Sequence, residues 1–183
     1  MYPLIDFRSD AQDLTAKAFA EKYARFFFVY IGPGGGSWTE DTNWMSAQTA
    51  TVQLNGKEEV LGSWALPLAK RPGNPNPKQI SIGRARTCDL ALRYAFISKL
   101  HAHLIESQHR YSLQDQGSSN GTKVNGVPLP RGESVGLEPG DRISFGQLEL
   151  RFVAAEAFHA ELRRAEPPSS STAFGVRPRF DES

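Results

Sequence analysis

Hydrophobic and polar positions divide the chain into a helical beginning and a long series of short strands. Residues 9–24 place apolar side chains three or four positions apart, which predicts an amphipathic helix over 9–24. Ser9 as N-cap, with Gln12 three residues later, forms a capping box at the start of this helix. The aromatic and β-branched run Phe26 to Ile31 then predicts a buried strand.

From about residue 50 the pattern changes to short alternating segments separated by turn signals such as Asn55-Gly56 and Asn125-Gly126. Many short strands at regular spacing predict an antiparallel sandwich or barrel. A last helix is predicted over 154–165, and the segment after it lacks the periodic apolar residues needed to pack, which predicts disorder. The predicted strands in this part are 65–69, 79–83, 89–92, 102–106, 110–114, 122–124, 142–145 and 147–153.

Four motifs follow one another within the predicted strands: ISIGR (80–84), SKLH (98–101), SSNGT (118–122) and GDRISFG (140–146). Together they resemble the forkhead-associated (FHA) domain, a phosphothreonine-peptide binder built as a sandwich of two antiparallel sheets. The resemblance covers roughly residues 64–155. It implies a mainly β, FHA-type antiparallel β-sandwich. The helix and strand predicted from the hydrophobic pattern then form an N-terminal extension over 1–63, whose role is left open. A short C-terminal helix and a disordered tail are expected over 156–183.

The resemblance also implies which residues bind the ligand. It assigns the phosphate to Arg84, Ser98 and Ser119, places Lys99 at the rim, and has Asn120 bond the peptide backbone beside the phosphorylated residue. The residue types suit these roles. A phosphothreonine carries about −1.5 to −2 charge and three acceptor oxygens, which a forked guanidinium and hydroxyl donors satisfy. An amide donates and accepts at once, as a peptide backbone requires.

Three further residues are expected to support this site. Gly83 precedes Arg84 at the end of a strand, and Gly121 is expected to supply a positive φ at the end of its loop. His101 resembles the family's structural histidine, which braces the loop carrying Ser98 from beneath and does not contact ligand.

Specificity is expected from residues beside these loops. Phe96, Val124 and Asn125 form a possible specificity loop. Phe96 stands where some family members place a charged selector, which predicts an apolar preference after the phosphothreonine.

Two other hypotheses, a serine hydrolase and a metal site, compete with the binding role. GSSNG (117–121) formally matches the nucleophile elbow of serine hydrolases with Ser119 as nucleophile, but that motif needs a helix after it, and a β-hairpin pattern follows here. His101 and His103 share a strand face and have no third ligand nearby, so no metal site is predicted. No enzyme activity and no cofactor are therefore expected. A remaining alternative is an FHA-fold scaffold that assembles independently of phosphorylation.

The distribution of charge along the chain indicates which kind of partner the protein binds. The 183 residues carry 21 Lys+Arg and 20 Asp+Glu, a net charge of +1, yet residues 64–155 hold 12 basic and 7 acidic residues. That excess, without interleaved aromatic residues, is too small to predict nucleic-acid binding, but it suits a phosphate ligand. No apolar run approaches the roughly 20 residues of a membrane span, and no signal-peptide pattern is present, so a cytoplasmic protein is predicted.

The predicted function is a signalling adaptor that binds phosphothreonine in substrates of a Ser/Thr protein kinase. Its partner, kinase and pathway are left open. The cluster SSST (169–172) adds a second hypothesis, in which phosphorylated Thr172 occupies the molecule's own site or that of a neighbour.

Overall fold

The computed structural model describes residues 2–31, 50–54, 57–61, 64–76, 78–108 and 110–164. Three helices are present in this part of the chain: α1 (Leu4–Asp13), α2 (Ala16–Lys22) and α3 (Ala155–Arg164). The strands are β1 (Tyr2–Pro3), β2 (Phe26–Tyr30), β3 (Ala50–Leu54), β4 (Lys57–Leu61), β5 (Trp64–Pro67), β6 (Gln79–Gly83), β7 (Leu90–Ala91), β8 (Ala102–Ser107), β9 (Arg110–Asp115), β10 (Thr122–Val124), β11 (Val127–Pro128), β12 (Ser134–Leu137), β13 (Arg142–Phe145) and β14 (Leu148–Ala154).

The strands form two large sheets and one separate antiparallel pair, β3 with β4. The seven-stranded sheet has the order β1-β5-β2-β14-β13-β10-β11, and the five-stranded sheet has the order β12-β9-β8-β6-β7. All neighbours are antiparallel except β6 and β7. The predicted mainly β sandwich is confirmed, with one parallel pair that the sequence pattern does not indicate.

The main core lies between the two sheets. Strand β8 alternates, with Ala102 and Leu104 buried and His103 and Ile105 only half-buried on the other face. The same period of two holds in β9, which is why these segments are recognisable in the sequence. Fully buried core residues from both sheets include Phe28, Ile82, Leu104, Leu113, Ile143, Phe145, Leu148 and Leu150.

A second apolar cluster covers the outer face of the seven-stranded sheet. Helices α1, α2 and α3 pack there, and Phe7, Phe19, Phe27 and Phe158 are all fully buried with ring centroids 4.8–6.2 Å apart. Strand β2 is buried on both faces, since Phe28 points into the main core and Phe27 and Val29 into this outer cluster. Two-sided burial explains why 26–31 reads as an unbroken apolar run.

Strand β2 lies inside the sandwich rather than beside it. It pairs with β14 on one side and with β5 on the other, so a strand that the sequence assigns to the N-terminal extension is an inner strand of the larger sheet. None of the helices in the described ranges is long and apolar enough to cross a membrane.

The predicted single helix over 9–24 is two helices in the structure. Helix α1 starts earlier, at Leu4, and Ser9 lies inside it, so the predicted N-cap is wrong. Thr15 caps α2 instead, with an extended ψ of 158° and an Oγ1 that accepts from the backbone N–H of Ala18 at 3.2 Å. Burial of Leu4 and Phe7 against the sheet extends the first helix backwards, because tertiary packing outweighs a local capping signal.

Several predictions lie outside the described residues, namely the turn at Asn55-Gly56, the disorder of the tail after 164 and the site at Thr172. Strands β3 and β4, which lie on either side of Asn55-Gly56 in sequence, pair antiparallel with Leu54 opposite Lys57. Strands β1, β11 and β12 are not predicted. β1 and β11 are two residues each, and β12 contains Gly136, so all three carry weak patterns.

Candidate functional site

Three loops meet at one end of the sandwich. They follow β6, precede β8 and join β9 to β10, and they meet because Ile82, Ala102 and Asp115 lie side by side across the five-stranded sheet. The loops surround a shallow pocket of about 280 Å³. Its lining includes two cations and no carboxylate: Arg84, Ala95, Phe96, Ile97, Ser98, Lys99, Ser119 and Asn120. The structure thus brings together all five residues that the sequence assigns to ligand binding.

Arg84 is held in place by its backbone and by one side-chain nitrogen. Its N–H donates to the carbonyl of Ser98 at 2.8 Å, and its Nε donates to the carbonyl of Ile97 at 3.1 Å. The side chain is exposed, and its two terminal nitrogens make no hydrogen bond to any residue in the described part of the chain. Four N–H donors on a fixed, planar cation are therefore available to an anion in the pocket.

Ser98 and Ser119, on two different loops, lie side by side in the pocket. The backbone N–H of Ser119 donates to Ser98 Oγ at 3.0 Å, and the two hydroxyl oxygens are 3.4 Å apart. This arrangement uses an acceptor lone pair of Ser98 and leaves hydroxyl hydrogens that can turn toward a ligand.

His101 lies beneath both loops and is fully buried. Its Nδ1 accepts from the backbone N–H of Ser98 at 3.2 Å, so the ring proton is on Nε2, which donates to the carbonyl of Gly121 at 3.2 Å. Burial lowers the pKa of His101, although the bond to Gly121 and the charge of Asp115 oppose this. The neutral ring therefore ties the Ser98 loop to the Ser119 loop and stays out of the pocket.

Two glycines permit the close approach of these loops. A Cβ at Gly83 would lie 2.3 Å from the carbonyl oxygen of Lys99 and 3.0 Å from Leu100 Cα, so only glycine lets β6 pass beneath the Ser98 loop. Gly121 has a φ of 75°, the left-handed conformation that the sequence predicts there.

Asp115 shapes the Ser119 loop, although it is not among the residues predicted from the sequence. Its Oδ1 accepts from the N–H groups of Gly117 (2.7 Å) and Ser118 (2.9 Å), and its Oδ2 accepts from the hydroxyls of Ser118 and Thr122, both at 2.6 Å. Burial raises the pKa of Asp115, but these hydrogen bonds outweigh it and the net shift is downward. An aspartate two residues before a Gly-Ser pair is the sequence signal that indicates such a cap.

Asn120 and Phe96 form one wall of the pocket. Asn120 Nδ2 donates to the carbonyl of Phe96 at 2.7 Å, and the Phe96 ring stacks on Tyr94 at 5.3 Å. The amide of Asn120 is thereby oriented and its Oδ1 remains able to accept.

The comparisons with known proteins agree with this geometry. The model of the FHA domain family matches residues 80–146. The oxoglutarate dehydrogenase inhibitor of Corynebacterium glutamicum is 30% identical over 120 residues, which cover 62% of this chain and 82% of the inhibitor.

The chain belongs to the FHA domain family. FraH of Nostoc sp. is 28% identical over 106 residues, or 58% of this chain. The chain spans 35% of FraH and 20–27% of the mammalian proteins called transcription factor 19 or transcription factor 19-like that it also matches. Among solved structures, the N-terminal FHA domain of S. cerevisiae Rad53p in complex with a phosphothreonine peptide is 25% identical, with a TM-score of 0.39, over 45% of this chain and 73% of that one.

Two residues of the expected specificity loop do not reach the FHA pocket. Val124 is buried in the main core, because β10 alternates and turns this side chain inward. Asn125 has a φ of 52° in the following turn, where its Oδ1 accepts from the N–H of Arg142 and its Nδ2 donates to Asp141. Strand β10 leads away from the site, so only Phe96 of the three contributes to it.

The structure around the FHA loops also tests the hydrolase and metal-site hypotheses. Ser119 is followed by the β10–β11 hairpin and not by a helix, so the nucleophile elbow is not formed. FHA domains are binding modules rather than catalysts. His103 lies half-buried on the outer face of β8, and no group of three metal-ligating side chains occurs among the residues that the structure describes.

Proposed function

We propose that this FHA protein binds phosphothreonine in partner proteins through the pocket of Arg84, Ser98 and Ser119. The observation that carries the proposal is the fixed guanidinium of Arg84, whose unused donors line the same pocket as two serine hydroxyls and no carboxylate. Bonds of ionised donors to phosphate oxygens are about twice as strong as neutral ones, so Arg84 supplies the largest share of the affinity.

The other residues of the pocket take complementary roles. Lys99 adds a second positive charge at the rim. Asn120, oriented by its bond to Phe96, accepts from the peptide backbone beside the phosphothreonine. Phe96 offers an apolar, half-buried surface to a residue after the phosphothreonine.

In this role the protein is a cytoplasmic adaptor that recruits substrates of a Ser/Thr kinase into a signalling complex. Residues 64–155 supply the binding loops, and residues 1–63 supply β2 and two of the three helices over its outer face, α1 and α2. The alternative is an FHA scaffold that assembles independently of phosphorylation.

The two functions are distinguished by one peptide in three forms, with phosphothreonine, phosphoserine or threonine at the central position. Wild type should prefer phosphothreonine, and Arg84→Ala should remove that preference with the fold intact. Arg110→Ala is the matched control, since Arg110 is an exposed arginine at the opposite end of β9. Equal affinity for the phosphorylated and unmodified peptides would refute the proposal and support the scaffold function.

A second source of ligand is the chain itself. Helix α3 folds back over the sheet, because Glu161 accepts a 2.7 Å bond from Arg151, which lies four residues before the helix starts. Thr172 is eight residues beyond Arg164, a reach of about 26–29 Å, whereas Arg151, which Glu161 of α3 contacts, lies only about 10 Å along β14 from its first residue, Leu148, at the pocket end. Phosphorylated Thr172 therefore has the length to reach the pocket of its own molecule.

Self-binding is tested with protein phosphorylated at Thr172. Intramolecular binding predicts a monomer with weakened affinity for external peptide, and binding between molecules predicts a concentration-dependent dimer. Arg84→Ala should abolish either effect. Unchanged mass and unchanged peptide affinity would rule out both.

A further inference from the structure

Arg131 lies beside the Ser119 loop and has no part in the pocket described above. Its guanidinium packs on Gly117, since a Cβ built on Gly117 would lie 2.7 Å from Arg131 Nε, 2.8 Å from Cζ and 2.9 Å from Nη2. Position 117 has a φ of 75° and no side chain, and the guanidinium occupies the space that a side chain would fill.

The backbone of Arg131 is also fixed. Glu133 N–H donates to the carbonyl of Pro130 at 3.1 Å, which closes a turn around Arg131. Gln114 Nε2 donates to the carbonyl of Gly132 at 2.7 Å, and this ties the turn to β9, the strand that ends in Asp115. The Arg131 turn and the Ser119 loop are therefore anchored to the same strand end.

The charge of Arg131 is not used within the described ranges of the chain. No hydrogen bond or ion pair of its guanidinium with a described residue is found, although it is positioned by packing. The carboxylate of Asp115 already accepts four hydrogen bonds and is buried. A placed cation whose donors are unused, next to an anion pocket, fits a second acidic group on the ligand.

We infer that Arg131 selects phosphopeptides with an acidic side chain, carboxylate or phosphate, within three residues before the phosphothreonine. Asn120 and Phe96 mark the opposite end of the Ser119 loop, where the residues after the phosphothreonine are expected. Two Cα–Cα steps from Gly117 to Ser119 span at most about 7.6 Å, so the guanidinium lies within roughly 12 Å of Ser119 Cα. An extended peptide covers that distance in three or four residues.

The inference rests on the proposed phosphothreonine binding, and its test separates the two. Three pairs of phosphothreonine peptides carry Glu or Gln at one of the three preceding positions, and an unphosphorylated peptide is measured beside them. For at least one pair, wild type should bind the Glu form about two- to five-fold more tightly at low salt. Arg131→Gln should remove this difference and Arg131→Glu should invert it. Lys123→Gln, which removes an exposed charge on β10, should preserve it.

Equal affinity for Glu and Gln at all three positions, with phosphate still required, would overturn the role of Arg131 alone. Loss of the phosphate requirement itself would overturn the proposed function and this inference with it. A difference that persists in Arg131→Gln would also overturn the inference, because another cation would then be responsible.

Discussion

The backbone N–H of Ser119 donates a 3.0 Å hydrogen bond to Ser98 Oγ, although the two residues are 21 positions apart in sequence. This bond joins two loops that are each proposed to supply a phosphate donor. Together with the bridge from Ser98 through His101 to Gly121, it sets the spacing of the donors before any ligand binds. Preorganisation of this kind lowers the entropy that binding must overcome.

Replacing Ser98 by alanine tests that relationship. Ser98→Ala should weaken phosphothreonine-peptide binding about tenfold or more, because a hydrogen bond to a charged group contributes about 1.5–3 kcal/mol. The free energy of unfolding should change by less than about 1 kcal/mol, since the bond it loses is exposed. Isothermal titration calorimetry and urea unfolding measure the two quantities. Ser112→Ala, a half-buried serine of β9, is the control, and equal affinities of the two variants would contradict the role of Ser98.

Gly83 tests the packing under the same loop. In Gly83→Ala the new Cβ would lie 2.3 Å from the carbonyl oxygen of Lys99, a backbone atom that can move only if the Ser98 loop moves. We expect a loss of stability of about 1–3 kcal/mol, as for overpacked sites, together with weaker phosphopeptide binding.

The matched control is Gly136→Ala. Gly136 is also a strand glycine, but a Cβ there would meet no atom within 4 Å, and its φ is not positive. It should be neutral or slightly stabilising. Equal chemical-denaturation midpoints for the two variants would contradict the packing argument.

The binding loops were predictable because their residues are fixed by local requirements. The order of the four motifs placed Arg84, Ser98 and Ser119 on three separate loops, and the period-two alternation of β8 and β9 determined how those loops come together. The phosphate-binding role proposed for these residues needs specific residue types at specific turns, so a single sequence carries the signal.

The features that escaped prediction depend on contacts distant in sequence. Val124 was expected near the ligand, but its neighbour across the sheet is Ile143, which places it in the core. Arg131 is 14 residues from Gly117, and the pairing of β12 with β9 helps to bring the two together. The first predicted helix is divided in two because Phe7 and Phe19 are both buried in the outer cluster. Other members of that cluster are distant in sequence, so the local sequence pattern does not reveal it.

His101 predicts how stability depends on pH. Burial lowers its pKa below the ordinary value of 6.5, so the unfolded chain takes up a proton at a higher pH than the folded protein does. The stabilisation is therefore complete above about pH 6.5 and is lost as the pH falls through the folded pKa. The free energy of unfolding should decrease between pH 6.5 and 5, by at most about 1.4 kcal/mol per pH unit for one histidine.

Two variants identify which histidine causes the decrease in the free energy of unfolding below pH 6.5. The pKa of His103 is lowered by burial as well, with Asp89 opposing, so His103→Gln should make the slope shallower. His101→Asn should do the same and should also weaken phosphopeptide binding at pH 7.5, which His103→Gln should not. The lowered pKa values of Asp89 and Asp115 keep these carboxylates out of this pH range. An unchanged slope in His101→Asn would contradict the assignment.

The outer aromatic cluster should govern stability without affecting recognition. Phe158 is fully buried among Phe7, Phe19 and Phe27 on the face of the seven-stranded sheet that lies away from the main core. Phe158→Ala should lower the free energy of unfolding by about 3–5 kcal/mol through lost burial and the cavity it leaves. Phosphopeptide affinity, measured where the variant is still folded, should stay within twofold of wild type.

Phe96→Ala is the reciprocal variant, because Phe96 is half-buried and lines the binding pocket. It should reduce the preference for an apolar residue after the phosphothreonine while costing less stability than Phe158→Ala. If Phe158→Ala weakened binding as strongly as Phe96→Ala, the helices over the outer face would be coupled to the binding loops through the sheet. If both variants behave as expected, the outer cluster stabilises the fold as a whole, and contacts within the loops themselves set the geometry of Arg84 and Ser98.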